Sequence, residues 1–374
     1  MDHRRHEKLK TALLTALLGG LLLLPVYVPW LEQLFPQIQR PPLAGAFERI
    51  EHPTLLPGTF LSKAYPRKKE AWLKQESPLT PLFVRAKNEL DFRLFRHLNN
   101  RRFVLGRDSF FFSKSYLESA TGKNYLGRQR LLEQARTLKV FCERLDQLGV
   151  PCVVVNPPAK FRQMPEKAPA HYACYPVDST NWTTLNYLLD SLGVPRLPLD
   201  FLLQPFQGKI PTYPQMGLHW NYLGLTLMAD SLRSFLERGF GLCLPELRWE
   251  IEWKTHPELR NTDLEIMRGA NLWSEIPSRP QPYPRIRFEP NSCPKPNVLI
   301  IGDSYFQMFY DYGLMEGLFA PESTFFYYGL TLFPEKQRQN ASDPLSPESL
   351  QKRDLVILSH SEDNLHRLGF GVIQ

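Results

Sequence analysis

Apolar residues recur at positions 131, 135, 138, 142, 145 and 148, in steps of three and four, and the run closes at Gly149. That spacing predicts an amphipathic helix over 126–148 ending at a glycine. Cys152–Val155 then reads as a short apolar strand. The alternation continues with a helix over 182–192, opened by Ser179 or Thr180 and stopped by Gly193, and a strand over 194–199. A third helix spans 222–237, capped by Asn221, with Leu225, Met228, Leu232 and Phe235 on one face. Further on come a strand at 298–301, a helix at 305–318, and strands at 324–328 and 355–358. Upstream, residues 79–99 read as a helix with mixed faces. Residues 102–112 (RFVLGRDSFFF) read as a strand pair turning at Gly106-Arg107-Asp108. Residues 240–296, rich in Pro and Trp, read as an irregular insertion.

Continuous apolar strands separated by amphipathic helices predict an α/β fold, a mostly parallel sheet flanked by helices in a flavodoxin-like sandwich. Ligands of such sheets bind at the carboxyl ends of the strands. The rule picks out Asn156–Lys160, the Gly302-Asp303-Ser304 turn and Ser359-His360.

The N-terminus changes the picture. Residues 1–10 carry Arg4, Arg5, Lys8 and Lys10, and residues 11–30 (TALLTALLGGLLLLPVYVPW) contain no charge. About twenty apolar residues span a bilayer core of roughly 30 Å. No small-x-small cleavage site follows, so an uncleaved single-pass transmembrane signal-anchor is expected. Charge favours residues 1–10 on the cytoplasmic side, which places the body outside the cytoplasm, on the periplasmic or extracellular side. Residues 31–100 then form a Pro-rich stalk and helix, and 101–374 the extracytoplasmic domain.

Hydrophobic residues make up 43% and charged residues 22%, enough apolar content for a packed core. The net charge of +7 is spread along the chain, with no basic run interleaved with aromatics, which argues against a nucleic-acid partner. Five cysteines lie outside any zinc-like spacing with His, so no metal or organic cofactor is expected. Cys142 and Cys152 fall on core positions; a Cys243–Cys293 bridge stays open.

In NVLIIGDS (297–304), a buried strand runs into Gly-Asp-Ser and then a helix. Ser304 would present its hydroxyl at the sheet edge and its N–H at a helix N-terminus, as an acyl-transfer nucleophile requires. The plainer reading makes Ser304 an N-cap. His219, in GLHWNYLG ahead of the third helix, is the first candidate for the base, because a helix N-terminus disfavours imidazolium. Its plainer reading is a loop histidine packed on Trp220. His360, after the last strand, and His366, in Asp363-Asn364-Leu365-His366, are the alternative bases.

These pieces together resemble the circularly permuted SGNH hydrolase-like domain of the alginate O-acetyltransferase AlgJ/AlgX group. RRFVLGRDSFFF, VPCVVVNPPAKFRQMPEKAP, GLHWNYLG, NTDLEIMRG, GDSY and DLVILSHSEDNL occur in the family's order from about Arg101 to Leu365. The resemblance implies a membrane-anchored O-acetyltransferase or acetylesterase acting on an exported or cell-surface polysaccharide, partnered by a membrane-bound acyl-donor protein. It makes Ser304 the nucleophile and His219 the base. Asn156 is a candidate oxyanion donor and Lys160 a candidate contact to an acidic sugar; Asp303, Tyr305 and Trp220 are further candidates at the site. The family reads Asp-x-His where this chain has Gly217-Leu218-His219. A backbone carbonyl, Asp303, Glu362 or Asp363 must then orient the imidazole, or the protein is a weakened or non-catalytic glycan-binding or assembly protein on the same fold.

Overall fold

The computed structural model describes residues 42–45, 50–54, 64–77, 79–175, 179–289, 292–334 and 343–373, with scattered positions between 7 and 33. The expected 11–30 span falls partly outside the described residues; those described there are helical. Among the described residues no helix is long and apolar enough to cross a membrane.

Two compact units follow: residues 1–100 with 268–275, and residues 101–267 with 276–374. In the first, helices α1 (Ala64–Glu76) and α2 (Leu79–Phe95) occupy part of the expected stalk. There Asn88 Nδ2 donates to the Ala270 carbonyl at 2.8 Å.

The second unit opens with the expected strand pair. Strands β1 (Phe103–Leu105) and β2 (Phe111–Ser113) pair antiparallel. Its centre is a five-stranded sheet of β3 (Cys152–Val155), β9 (Leu355–Ser359), β6 (Val298–Gly302), β7 (Thr324–Tyr327) and β8 (Thr331–Phe333), in that spatial order. The first four strands run parallel and β8 antiparallel.

Side chains along these strands alternate between two buried layers, which explains why the strands carry no polar face. Val153, Val155, Ile300 and Ile357 enter one layer with Leu225, Met228 and Leu232 of the helix Tyr222–Phe240. Val154, Leu299, Ile301 and Leu358 enter the other with Leu131, Leu138, Leu185 and Leu189 of the helices Arg128–Gln147 and Asn181–Ser191. Thr180 caps Asn181–Ser191 by accepting from the Thr183 N–H.

Three expectations fail locally. Residues 194–199 form no strand; Pro195 and Pro198 interrupt the ladder, leaving one bridge between Val154 and Arg196. The expected 305–318 helix breaks into Ser304–Asp311 and Leu314–Leu318, with Gly313 between them at φ 75°. The insertion is not irregular. Strands β4 (Glu246–Lys254) and β5 (Gln281–Glu289) form a long antiparallel ribbon, with the helix Asn261–Gly269 between them in sequence. The period-two pattern of ELRWEIEWK is a half-exposed strand, masked in the partner by Pro282 and Pro284. A Cys243–Cys293 disulfide closes the base of this insertion.

Candidate active site

Strand β6 is apolar and fully buried, and it delivers Asp303 and Ser304 to the carboxyl edge of the sheet. Asp303 caps the next helix, its Oδ1 accepting from the Tyr305 N–H at 3.1 Å. Its Oδ2 accepts from the Ser361 N–H, the Ser361 hydroxyl and Asn364 Nδ2. Asp303 thus ties the Ser304 turn to the segment after β9 and does not serve the imidazole.

His219 reaches the same edge from the loop before Tyr222–Phe240, a helix fixed by Asn221, whose Oδ1 accepts from the Gly224 N–H at 3.0 Å. His219 Nε2 lies 2.8 Å from Ser304 Oγ, although the two residues are 85 apart in the chain. His219 Nδ1 lies 2.8 Å from Glu265 Oε1. That same carboxylate oxygen accepts from the Leu218 N–H at 2.7 Å and the His219 N–H at 3.3 Å. The orienting acid absent at position 217 is present at Glu265.

Burial alone would lower the His219 pKa, but the charge and hydrogen bond of Glu265 more than offset it and the net shift is upward. Burial would raise Glu265, and the His219 charge holds it below the ordinary carboxylate range. At neutral His219, Nδ1–H donates to Glu265, which leaves Nε2 to accept from the Ser304 hydroxyl.

Tyr328 follows β7; its hydroxyl accepts from Asn364 Nδ2 at 3.4 Å, and the Ser304 hydroxyl and N–H act on its phenol, lowering its pKa against the upward pull of burial. Its φ of 51° is in the left-handed region, which costs a bulky side chain free energy. Its N–H donates to the Gly302 carbonyl at 2.8 Å, and its ring packs edge-on against Phe370. Burial and the Asp303 charge raise its pKa, so the phenol stays protonated at neutral pH.

The remaining candidates are placed elsewhere. Asn156 donates through Nδ2 to Asn186 Oδ1 at 2.8 Å, and its backbone carbonyl accepts from Trp182 Nε1; among the described residues no hydrogen bond joins it to Ser304. Lys160 is buried and cannot meet a sugar; its Nζ donates to the carbonyls of Phe111, Gln215 and Gly217. Trp220 and Tyr305 are fully buried. The Tyr305 ring sits edge-on 4.8 Å from the His219 ring and walls the imidazole, and Trp220 packs edge-on behind Tyr305 at 5.0 Å. His360 is buried, accepts from the Gly369 N–H at Nε2, and is held neutral by burial, which lowers its pKa to about 3. His366 is exposed, with Nδ1 2.8 Å from the Asp363 carbonyl. Neither faces Ser304 as a base would. Glu362 pairs with Arg162, and Asp363 accepts from the Ser119 hydroxyl.

Glu265 and Tyr328 were not singled out from the sequence. Glu265 lies inside NTDLEIMRG, a charge between the buried Leu264 and Ile266, and that conflict was the available signal. Tyr328 ends a recognised strand, so the carboxyl-edge rule that selected Ser304 would also have reached it.

A serine hydroxyl at the carboxyl edge of a parallel α/β sheet, in line with a histidine and a carboxylate, is the arrangement of an SGNH hydrolase-like domain. This chain belongs to the SGNH hydrolase-like family of the acetyltransferase AlgX, whose model matches residues 103–318. Among solved structures it is similar to the O-acetyltransferase domain of Pseudomonas putida AlgJ at 17% identity, covering 70% of this chain and 91% of that one, with a TM-score of 0.46. It is similar to Pseudomonas aeruginosa AlgX at 15% identity, covering 73% and 65%, with a TM-score of 0.47. Bacillus cereus PatB1 aligns at 11% identity over 70% and 96%, with a TM-score of 0.46. No curated protein matches the chain.

Proposed function

We propose that this protein transfers O-acetyl groups to an exported or cell-surface polysaccharide through a covalent acetyl-Ser304 intermediate. The observation that carries the reading is the continuous Glu265–His219–Ser304 line, 2.8 Å at each step. Membership of an acetyltransferase family names the acyl group.

Ser304 Oγ attacks the acetyl carbonyl as its proton passes to His219 Nε2, while Glu265 stabilises the imidazolium through Nδ1–H. The Ser304 N–H and the Tyr328 hydroxyl donate to the oxyanion. Collapse of the tetrahedral intermediate expels the donor oxygen, which takes the proton from Nε2. In the second half-reaction an acceptor hydroxyl gives its proton to Nε2 and attacks acetyl-Ser304; collapse of that intermediate breaks the acyl bond to Ser304 Oγ, which takes the proton back from Nε2. A sugar hydroxyl makes the protein a transferase and water makes it an esterase. The non-catalytic reading rested on the missing acid at position 217, and Glu265 removes its motive.

The apolar 11–30 segment and its basic flank support an anchored protein facing away from the cytoplasm, where a membrane-bound acyl donor would meet it. The Cys243–Cys293 disulfide suits an oxidising compartment. Protease added to intact spheroplasts should digest the domain beyond residue 100; protection until the membrane is breached contradicts the orientation. Release of the chromophore from a chromogenic acetyl ester, lost in Ser304→Ala, tests the acyl-transfer reading; equal release by Ser304→Ala contradicts it.

A further inference from the structure

Lys160 is a cation nearly excluded from solvent, far from any role at the surface. It is 4% exposed, and its Nζ lies 2.8 Å from the Phe111 carbonyl, 2.9 Å from that of Gln215 and 3.1 Å from that of Gly217. Three acceptors match the three hydrogens of an ammonium, whereas the neutral amine has two. The rings of Phe110 and Phe112 lie beside it, with Nζ 5.5 and 5.0 Å from their centroids. Burial lowers the Lys160 pKa to about 7, and the opposing influence that keeps it from falling further is the Glu265 carboxylate.

The peptide unit joining Gly217 to Leu218 connects these observations to the candidate site. A trans peptide directs its C=O and N–H to opposite sides. Its carbonyl is bound by Lys160, and its N–H is bound by Glu265 Oε1 at 2.7 Å. Lys160 and Glu265 therefore grip one peptide plane from both sides. Rotation of that plane would pull the Leu218 N–H off the oxygen that also holds His219 Nδ1. Gly217 has no room to absorb such a movement, because even a Cβ there would lie 2.1 Å from the Thr262 carbonyl oxygen.

We infer that Lys160 is a positioning residue for the acyl-transfer site: by fixing the Gly217–Leu218 peptide it holds Glu265 in line with His219 and sets the basicity of the imidazole. This rests on the acyl-transfer reading for its meaning, but not for its test. The groups facing His219 are Glu265, Ser304, the Tyr305 ring and, by charge, Asp303. Of these only Glu265 shares a peptide with Lys160, so loss of Lys160 acts on the imidazole through the carboxylate.

The experiment compares the full chain with Lys160→Met in two assays. NMR titration of the His219 ring should show the variant protonating at lower pH than the parent, because the raising influence of Glu265 is weakened. Turnover of a chromogenic acetyl ester should fall by about 10²-fold in kcat with KM little changed, the scale of a small misplacement of a catalytic group. A folded Lys160→Met with parental kcat and an unmoved His219 titration overturns the inference. If Lys160→Met does not fold, Lys160→Gln keeps two donors in a similar volume and is read against the same two outcomes. The ring titration needs no turnover, so an unmoved titration counts against Lys160. Absence of ester turnover in the parent counts against the acyl-transfer reading.

Discussion

Glu265 Oε1 stands 2.8 Å from His219 Nδ1 across 46 residues of chain. The carboxylate arrives from the helix of the insertion and the imidazole from the loop before Tyr222–Phe240. Glu265→Gln should keep the shape of the contact and remove its charge. Neutralising the acid of a triad costs about 10⁴-fold in kcat where the wrong tautomer results. We expect a loss of about 10²- to 10⁴-fold with the fold intact; a Gln variant as active as the parent would remove Glu265 from the mechanism.

The same pair sets the pH profile. The base works only when His219 is neutral, and its pKa is raised from 6.5. The acid limb of kcat/KM should therefore lie above pH 6.5 in the parent. In Glu265→Gln the influence of burial remains and lowers the pKa, so the limb should move to lower pH even as the maximum falls. A limb that stays in place would assign it to another group.

Tyr328→Phe removes the hydroxyl proposed as the second oxyanion donor, together with its long 3.4 Å contact to Asn364 Nδ2, which keeps its 2.8 Å bond to Asp303. Loss of one such donor costs about 10²- to 10³-fold in kcat. The expected signature is a fall in kcat with KM nearly constant and unfolding unchanged; parental kcat would leave the Ser304 N–H as the donor.

Restoring the family's carboxylate at position 217 should not help. Gly217 has no positive φ; its requirement is space, with the Thr262 carbonyl oxygen 2.1 Å and Pro214 Cγ 2.7 Å from an added Cβ. Gly217→Asp should destabilise by about 1–3 kcal/mol, as overpacking does, without raising turnover. Thermal unfolding with parallel ester assays checks both parts.

The sheet was readable because its central strands are apolar on both faces and carry the helices' period-3.6 partners between them, from Leu131 to Phe235. Ser304 was readable because a buried strand ending in Gly-Asp-Ser leaves few places for the hydroxyl to go. His219 was readable from its place ahead of a capped helix. What could not be read was which distant segments meet. Glu265 reaches the site only because β4 and β5 pair over nine residues and carry the intervening helix to the His219 loop, where the Ile266 N–H donates to the Met216 carbonyl. Pro282 and Pro284 hid that pairing. Asn156 obeyed the carboxyl-edge rule but sits at the end of β3, which β9 separates from β6, so its amide turns to Asn186. Lys160 looked like a surface cation because sequence shows a charge and not the three carbonyls that bury it.

The central claim is that Ser304 carries the acyl group, and the most direct measurement is peptide mass spectrometry of protein quenched during reaction with a chromogenic acetyl ester. The account predicts an acetyl group on the peptide containing Ser304, absent after Ser304→Ala and strongly reduced after His219→Ala. The double variant should lose no more than the worse single one, because the two residues act as a unit. Acetylation at another residue, or ester turnover that survives Ser304→Ala, would contradict it.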